Sequence, residues 1–299
     1  MNPVRARRVL VIANPAAGLR RTRDAGEAAA RAAREAGAQV ELARTERPGD
    51  ARRLAGEASH ERFDLVVAAG GDGTVNEAAN GLAGRAVPLG VAPAGTMNLL
   101  ARVLRVPLDP AAATRRIVEG YRPLAVKPGS ADGRLFLLMA GCGFDAWVLR
   151  ELLRGVSGKI GFAHYARGAL RGLRTFPFPR LTIEHDGGTL RAHTAIVGRA
   201  PLYGGFLRPT PAAKLEVDAL ELCAIDGGAL HLTAVFARLF SGAHAGRAGV
   251  TVVGVRRATI SAGIDDVPYQ LDGELAGTLP VAIDLSERIL VLATLGGFS

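Results

Sequence analysis

Phe63-Asp-Leu-Val-Val-Ala-Ala-Gly-Gly-Asp-Gly-Thr-Val-Asn-Glu77 is the stretch on which the architecture turns. Leu65 to Ala69 is a continuous apolar run bounded by glycine, the pattern of a parallel strand covered on both faces. A helix is expected from about Thr74. Gly70, Gly71 and Gly73 let the backbone turn sharply and approach a ligand closely. Peptide N–H groups in such a turn, and at the start of the helix behind it, make an anion site. Asp72 conflicts with that role, because a carboxylate repels the phosphate its own loop attracts. A bound Mg²⁺ would remove the conflict, so the stretch reads as a phosphate-and-metal loop, most simply for a nucleoside triphosphate.

The flanking chain repeats the strand–helix alternation. Arg8 to Ala13 is a β-rich strand followed by the turn Asn14-Pro-Ala-Ala-Gly18, and Ala25 to Ala36 is a strong helix former that Gly37 stops. Gln39 to Thr45 reads as a strand, Pro48 to Ser59 as a helix, Pro88 to Ala92 as a strand and Met97 to Arg105 as a helix. This order predicts an open parallel sheet covered by helices. Ligands of such sheets sit beyond the carboxyl ends of the strands, and three loops have that address: Asn14 to Gly18, Gly70 to Thr74, and Pro93-Ala-Gly-Thr96.

The character changes near Tyr121. Strands are expected over 122–126, 134–139, 181–184, 189–193, 195–198, 220–225, 250–255, 258–262, 281–285 and 289–293. Asp186-Gly187-Gly188 is a hairpin signal, Pro128 to Gly133 a turn-rich connection, and helices are expected over 159–174 and 230–241. We therefore expect an α/β nucleotide-binding domain over 1–124 and a β-rich sandwich over 125–299, with the return of the last strand to the first domain left open.

Bulk properties narrow the class. A chain of 299 residues with 48% hydrophobic and 22% charged content has ample material for a core, which excludes disorder. Cys142 and Cys223 lie far apart in apolar surroundings and read as buried free thiols of a reducing compartment. The apolar run after Arg8 is too short for a signal peptide, and no window approaches the ~18 apolar residues of a membrane span. A cytoplasmic protein is expected, one able to touch the inner membrane surface from outside. The formal charge of +9 is concentrated: between Ala146 and Arg180 seven basic residues face one acid, Glu151. Arg167, Arg171 and Arg174 share a helical face opposite Phe162, Ala166, Ala169, Leu170 and Leu173. That helix is read either as a surface helix with a solvated basic face or as an interfacial helix docking on anionic lipid. Nucleic acid is not expected, since no recognition motif accompanies the charge.

Two other phosphate motifs fail. No P-loop spacing occurs. Gly141-Cys-Gly143-Phe-Asp-Ala146 imitates a dinucleotide fingerprint, but the acid that should follow about 20 residues on is missing between Glu151 and Glu184.

Gly70-Gly-Asp-Gly-Thr74 resembles the signature shared by diacylglycerol, sphingosine and NAD kinases. Further blocks narrow the resemblance to the diacylglycerol kinase catalytic-domain family, and within it to soluble bacterial lipid kinases. They are Asn14 to Gly18, Thr45, Gly70 to Asn76, Pro93 to Asn98 with Ala101-Arg102, Gly141 to Ala146, Lys159-Ile-Gly161 with Tyr165, Tyr203-Gly-Gly205, Pro211-Ala212, Leu215 to Leu220, and Asp272-Gly-Glu274. The resemblance implies a NAD-kinase-like nucleotide-binding domain followed by a β-sandwich lipid-acceptor domain, with ATP in the cleft between them and phosphoryl transfer to a lipid hydroxyl. It implies nucleotide contacts from Asn14, Gly18, Thr45, Gly70, Gly71, Asp72, Gly73, Thr74, Val75, Asn76, Gly95 and Thr96, with Asp72 also helping to place the catalytic Mg²⁺. It implies Glu274 as general base, Asp145 as a second catalytic carboxylate, and a separate Mg²⁺ held by Asp218 with the carbonyls of Leu215 and Leu220. Taken alone, Asp272-Gly-Glu274 reads as a polar turn between strands and Asp145 as a helix N-terminal acid.

Two positions depart from the family pattern: Ala219 stands where a glycine usually follows the Asp, and Leu99 where an Asp is common. The leading expectation is an ATP- and Mg²⁺-dependent kinase for diacylglycerol or a related lipid alcohol. A kinase for a soluble acceptor such as NAD and a catalytically weak nucleotide- or lipid-binding regulator stay open, as does a homodimeric state.

Overall fold

The computed structural model describes residues 2–16, 24–154 and 162–296, with only the backbone of 162–167 and 169. The chain divides into two compact units, 1–128 with 286–299, and 129–285. The boundary expected near residue 125 thus falls after Pro128, and the last strand does return to the first unit.

The first unit alternates as β1 (Arg8–Ala13), α1 (Ala25–Glu35), β2 (Gln39–Arg44), α2 (Asp50–Glu57), β3 (Leu65–Gly70), α3 (Asp72–Leu82), β4 (Leu89–Pro93), α4 (Leu99–Val103), α5 (Pro110–Glu119) and β5 (Arg122–Val126). Together with the chain's final strand, β18 (Leu290–Thr294), the strands form one sheet in the order β2-β1-β3-β4-β18-β5. All neighbours are parallel except β18 and β5. Every residue of β3 and β4 is buried, as a strand sandwiched between helices requires, whereas the edge strand β2 is not. The helix α5 was not anticipated, although Asp109-Pro110 carries its signal. The Asp109 carboxylate accepts from the Ala112 N–H at 2.8 Å and Pro110 occupies the first turn.

The second unit runs β6 (Gly129–Ala131), β7 (Arg134–Phe136), β8 (Met139–Gly143), α6 (Phe144–Leu153), α7 (Phe162–Thr175), β9 (Leu181–His185), β10 (Gly188–Ala192), β11 (Thr194–Gly198), β12 (Leu220–Ile225), α8 (Ala229–Leu239), β13 (Val250–Val255), β14 (Arg257–Ala262), β15 (Pro268–Leu271), β16 (Glu274–Thr278) and β17 (Val281–Leu285). Its two six-stranded antiparallel sheets are β10-β9-β14-β17-β6-β7 and β13-β12-β11-β8-β15-β16. Leu181, Ile183, Ile260 and Ile283 of the first sheet share one core with Cys142, Val197, Leu222 and Leu271 of the second. A smaller core on the far side of the second sheet gathers Phe144, Phe176, Cys223, Leu232 and Leu239. Both cysteines are buried and free, and burial pushes the Cys223 thiol up to about 12.

Three expectations need correction. The segment 128–133 contains the short strand β6, and the strand expected over 134–139 is two strands. The break between them comes from Asp272, whose carboxylate takes the N–H groups of Leu137, Leu138 and Met139 at 2.7–2.9 Å. The polar turn read at 272–274 joins two short strands, β15 and β16, that the sequence does not signal. The helix expected over 97–105 is shortened to α4 because Asn98 adopts a left-handed conformation (φ 50°) and starts it.

Candidate active site

In the first unit the predicted loops lie at the carboxyl ends of β1, β2, β3 and β4 and are tied together through their main chains. The Asn14 N–H donates to the Ala69 carbonyl at 3.0 Å, that of Thr45 to Ala13 at 2.9 Å, and that of Ala94 to Gly70 at 2.8 Å. The last contact brings the Gly71 and Gly95 backbones so close that a Cβ built on Gly95 would lie 2.6 Å from the Gly71 Cα. No side chain fits there, which is why glycine stands at the meeting of two loops. Gly70 makes similar room for Thr74, whose side chain a Cβ at Gly70 would meet at 2.5 Å. The Asn14 amide donates to the Thr74 hydroxyl at 3.0 Å, so these two predicted residues are brought together. Thr96 is exposed, while Gly71 and Gly73 are half-buried. Val75 and Asn76 bury their side chains, and Asn76 accepts from the Asn80 amide, so only their backbone could serve a ligand. Gly18 lies outside the described residues, as does the block 159–161.

Asp72 behaves differently from the sequence argument. Its carboxylate accepts the Leu99 N–H at 2.6 Å, with the backbone of Asn98 and Leu100 also contributing, at the start of α4. Burial is the dominant influence and raises its pKa, against the lowering effect of these donors. The conflict between carboxylate and phosphate loop is therefore relieved by the backbone of the next loop, without a metal being needed to explain the residue. The Leu99 side chain is buried, and its main chain supplies the contact. Asn98 braces the same loop, its amide exchanging hydrogen bonds with the Gly95 N–H (2.8 Å) and carbonyl (2.9 Å). A Mg²⁺ ion is normally held by one or two carboxylates together with substrate phosphates and water. Asp72 fits that pattern, and no cluster of three potential metal ligands occurs among the described residues.

The second unit assembles a buried polar network. Asp145, in the first turn of α6, accepts the Tyr203 hydroxyl on Oδ1 and the Gln270 amide on Oδ2 at 2.9 Å. Burial raises its pKa, although both hydrogen bonds pull the other way. Gly141 makes the space, since a Cβ there would lie 1.8 Å from the Asp145 carboxylate. The two glycines that imitate a dinucleotide fingerprint are thus strand residues, Gly141 clearing room for an acid and Gly143 approaching the His193 carbonyl at positive φ. Tyr203 is aimed by a turn in which Gly204 and Gly205 both have positive φ. The Gln270 side-chain Oε1 accepts the Gly273 N–H at 2.7 Å, linking Asp145 to the hairpin that carries Glu274. Asp272 and Gly273 form its two-residue turn, both at positive φ, so the polar-turn reading of these residues also holds. Glu274 is half-exposed at the start of β16, and Arg134 donates to its Oε2 at 2.5 Å. Gln270 and Arg134 escaped the sequence reading: they lie 125 and 140 residues from their partners, and no motif marks either.

The predicted second metal set is not built as expected. The Leu215 carbonyl accepts Nη2 of Arg199 at 2.7 Å, Leu220 begins β12, and the exposed Asp218 lies near the same guanidinium, whose charge it favours. Two of the three predicted ligands, the Leu215 carbonyl and Asp218, already face a cation, so the residues do not fit a second ion.

Comparison with known proteins identifies the family. The profile of the diacylglycerol kinase catalytic domain matches residues 8–126, and that of the YegS C-terminal NAD kinase beta sandwich-like domain matches 139–294. A diacylglycerol kinase from Staphylococcus aureus is 31% identical over 297 residues, covering 96% of this chain and 92% of that protein. The solved structure of a diacylglycerol kinase from Bacillus anthracis str. Sterne aligns with a TM-score of 0.73 at 22% identity, over 97% of this chain and 98% of the other. A further structure from that strain reaches 0.77 at 24% identity and the same coverage. The two structures share the fold. The chain belongs to the diacylglycerol kinase family.

Proposed function

We propose that the chain is an ATP- and Mg²⁺-dependent kinase that phosphorylates a hydroxyl of diacylglycerol or a related lipid alcohol. The observation that supports this most is the main-chain junction of Gly71 and Gly95, beside Thr74 and Asn14, at the carboxyl ends of parallel strands. The first-turn N–H groups of α3, which no side chain caps, suit a triphosphate, and Mg²⁺ arriving with it would neutralise charge on the transferring group. The lipid oxygen would bond to the γ-phosphorus as the bond to the bridging oxygen breaks, with ADP leaving and the hydroxyl proton passing to Glu274. The contact from Arg134 would orient that carboxylate. Asp145, locked by Tyr203 and Gln270, would act by holding the hairpin and its neighbours in position.

The test uses radiolabelled ATP with mixed micelles of diacylglycerol, and NAD in parallel, on wild type and Glu274→Gln. Labelled phospholipid from wild type is expected, with a fall of about 10²–10⁴-fold in kcat for the variant at unchanged ATP affinity. Bound ATP with no labelled lipid would point to a regulator, and labelled NAD to a soluble acceptor. Undiminished lipid product from Glu274→Gln would remove the base assignment.

Access to the lipid is proposed through α7, at the cytoplasmic face of the membrane. No helix among the described residues is long and apolar enough to cross a bilayer. Leu170, expected on the packed face, is instead half-exposed beside Arg171 and Arg174, while Gly168 and Gly172 let the helix close on α6. Three other basic residues of the segment are engaged: Arg150 with Asp266, Arg154 with Glu151 and Arg180 with Asp226. Arg171 and Arg174 have no acidic partner among the described residues, and the Arg167 side chain lies outside them. Arg171→Ala with Arg174→Ala is expected to cut sedimentation with phosphatidylglycerol vesicles by about 5–30-fold, at about 1 kcal/mol per cation. Equal sedimentation would rule the helix out as the contact.

A further inference from the structure

Arg199 is the largest fully buried side chain among the described residues, with none of its surface exposed. It follows β11 directly, where its N–H is fixed on the Leu138 carbonyl at 2.8 Å. From there the guanidinium enters the loop between Lys214 and Ala219. Nη1 lies 2.9 Å from the Lys214 carbonyl, 2.8 Å from that of Val217 and 2.9 Å from that of Ala219, while Nη2 lies 2.7 Å from that of Leu215. Three carbonyl oxygens around one nitrogen exceed the two N–H bonds it carries, so the group is held as a caged cation as much as a donor. Converging carbonyl dipoles repel one another unless positive charge sits between them. Asp218 and Glu216, on the same loop, add the negative charge that keeps the buried guanidinium ionised against its desolvation.

We propose that Arg199 is a built-in replacement for a divalent cation, and that the 214–219 loop takes no metal. An ion bonded to the Leu215 oxygen at about 2.1 Å would lie at most roughly 5 Å from Nη2, because the two distances to that oxygen bound their separation. Two cations that close in a buried cage repel strongly. A single positive charge on a planar fork faces four carbonyls at once, which a lysine ammonium at the end of a flexible stem would not reproduce. The loop then holds its shape whatever the metal concentration, and it fixes the start of β12 and the Glu221 carboxylate that anchors Ala212 and Ala213. This inference is independent of the reaction proposed above.

The test compares melting of nucleotide-free wild type and Asp218→Asn in EDTA and in 10 mM MgCl₂ or MnCl₂. Asp218 is exposed, so the variant is expected to fold. Both proteins should melt within about 1 °C with or without metal. A metal-induced rise that is equal in the two proteins places the ion elsewhere and supports the proposal. A rise of about 5 °C or more in wild type that Asp218→Asn abolishes would overturn it, since saturating ligand at a real site stabilises by that order. Arg199→Gln, which removes the charge, should melt at least about 5 °C below wild type in EDTA, and a melt within 1 °C of wild type would also overturn the proposal.

Discussion

The two units build their candidate sites from different materials. In the first, loops after neighbouring parallel strands meet through main chain: Gly71 against Gly95, Ala94 on Gly70, Asn14 on Ala69. In the second, side chains reach across long stretches of sequence: Asp145 to Gln270, Asp272 to Leu137–Met139, Arg134 to Glu274. A parallel sheet places all its carboxyl-end loops side by side, so glycine and a few short polar residues suffice there. An antiparallel sandwich offers no such common edge, and its polar groups must be gathered one pair at a time. The first kind of site is intolerant of added volume; the second is intolerant of lost acceptors.

That contrast can be broken at three points. The largest effect is expected at Asp272, where Asp272→Ala leaves three backbone N–H groups without their acceptor. A loss of about 3–5 kcal/mol in urea unfolding is expected, at roughly 1–3 kcal/mol per orphaned group with partial relief by water. A change below about 1 kcal/mol would mean that the carboxylate is not what holds the strands. Next is Gly95→Ala, which forces two backbones apart and should cut kinase turnover about 10²-fold while weakening nucleotide binding. Gly56→Ala, where the nearest heavy atom is 3.7 Å from the added Cβ, serves as the matched control and should change neither. Equal behaviour of the two glycine variants would show that the main-chain junction is not critical.

The smallest effect is a pH dependence. Burial raises the Asp145 pKa in the folded protein, so the native state holds that proton more tightly than the unfolded chain. The stability contributed is then greatest below the unfolded value of 3.8 and falls as pH rises through the folded pKa. Asp145→Asn does not titrate there. Its melting temperature relative to wild type should therefore climb by a few °C between pH 4 and pH 7. A difference that is flat with pH would show that burial does not disfavour the charged form.

Sequence by itself determined the alternation of β1 to β4 with helices and the loops at the ends of those strands. Apolar runs ending in glycine can be read locally, because strand burial and positive-φ or close-approach backbone restrict residue type at each position. Gly70 to Thr74 and Pro93 to Asn98 were legible for that reason, as was the Asp-Gly turn before Glu274. Only the tertiary structure decided what the acids do. Asp72 is received by the backbone of α4, Asp145 by Tyr203 and Gln270, and the acidic loop at Asp218 by a guanidinium. A carboxylate carries no mark of its partner, since metal, phosphate loop, helix start and arginine all satisfy it, and the partner is fixed by how distant segments pack. Arg199 makes the point most sharply: in the sequence it is one arginine among many, and its burial among four carbonyls exists only in the fold.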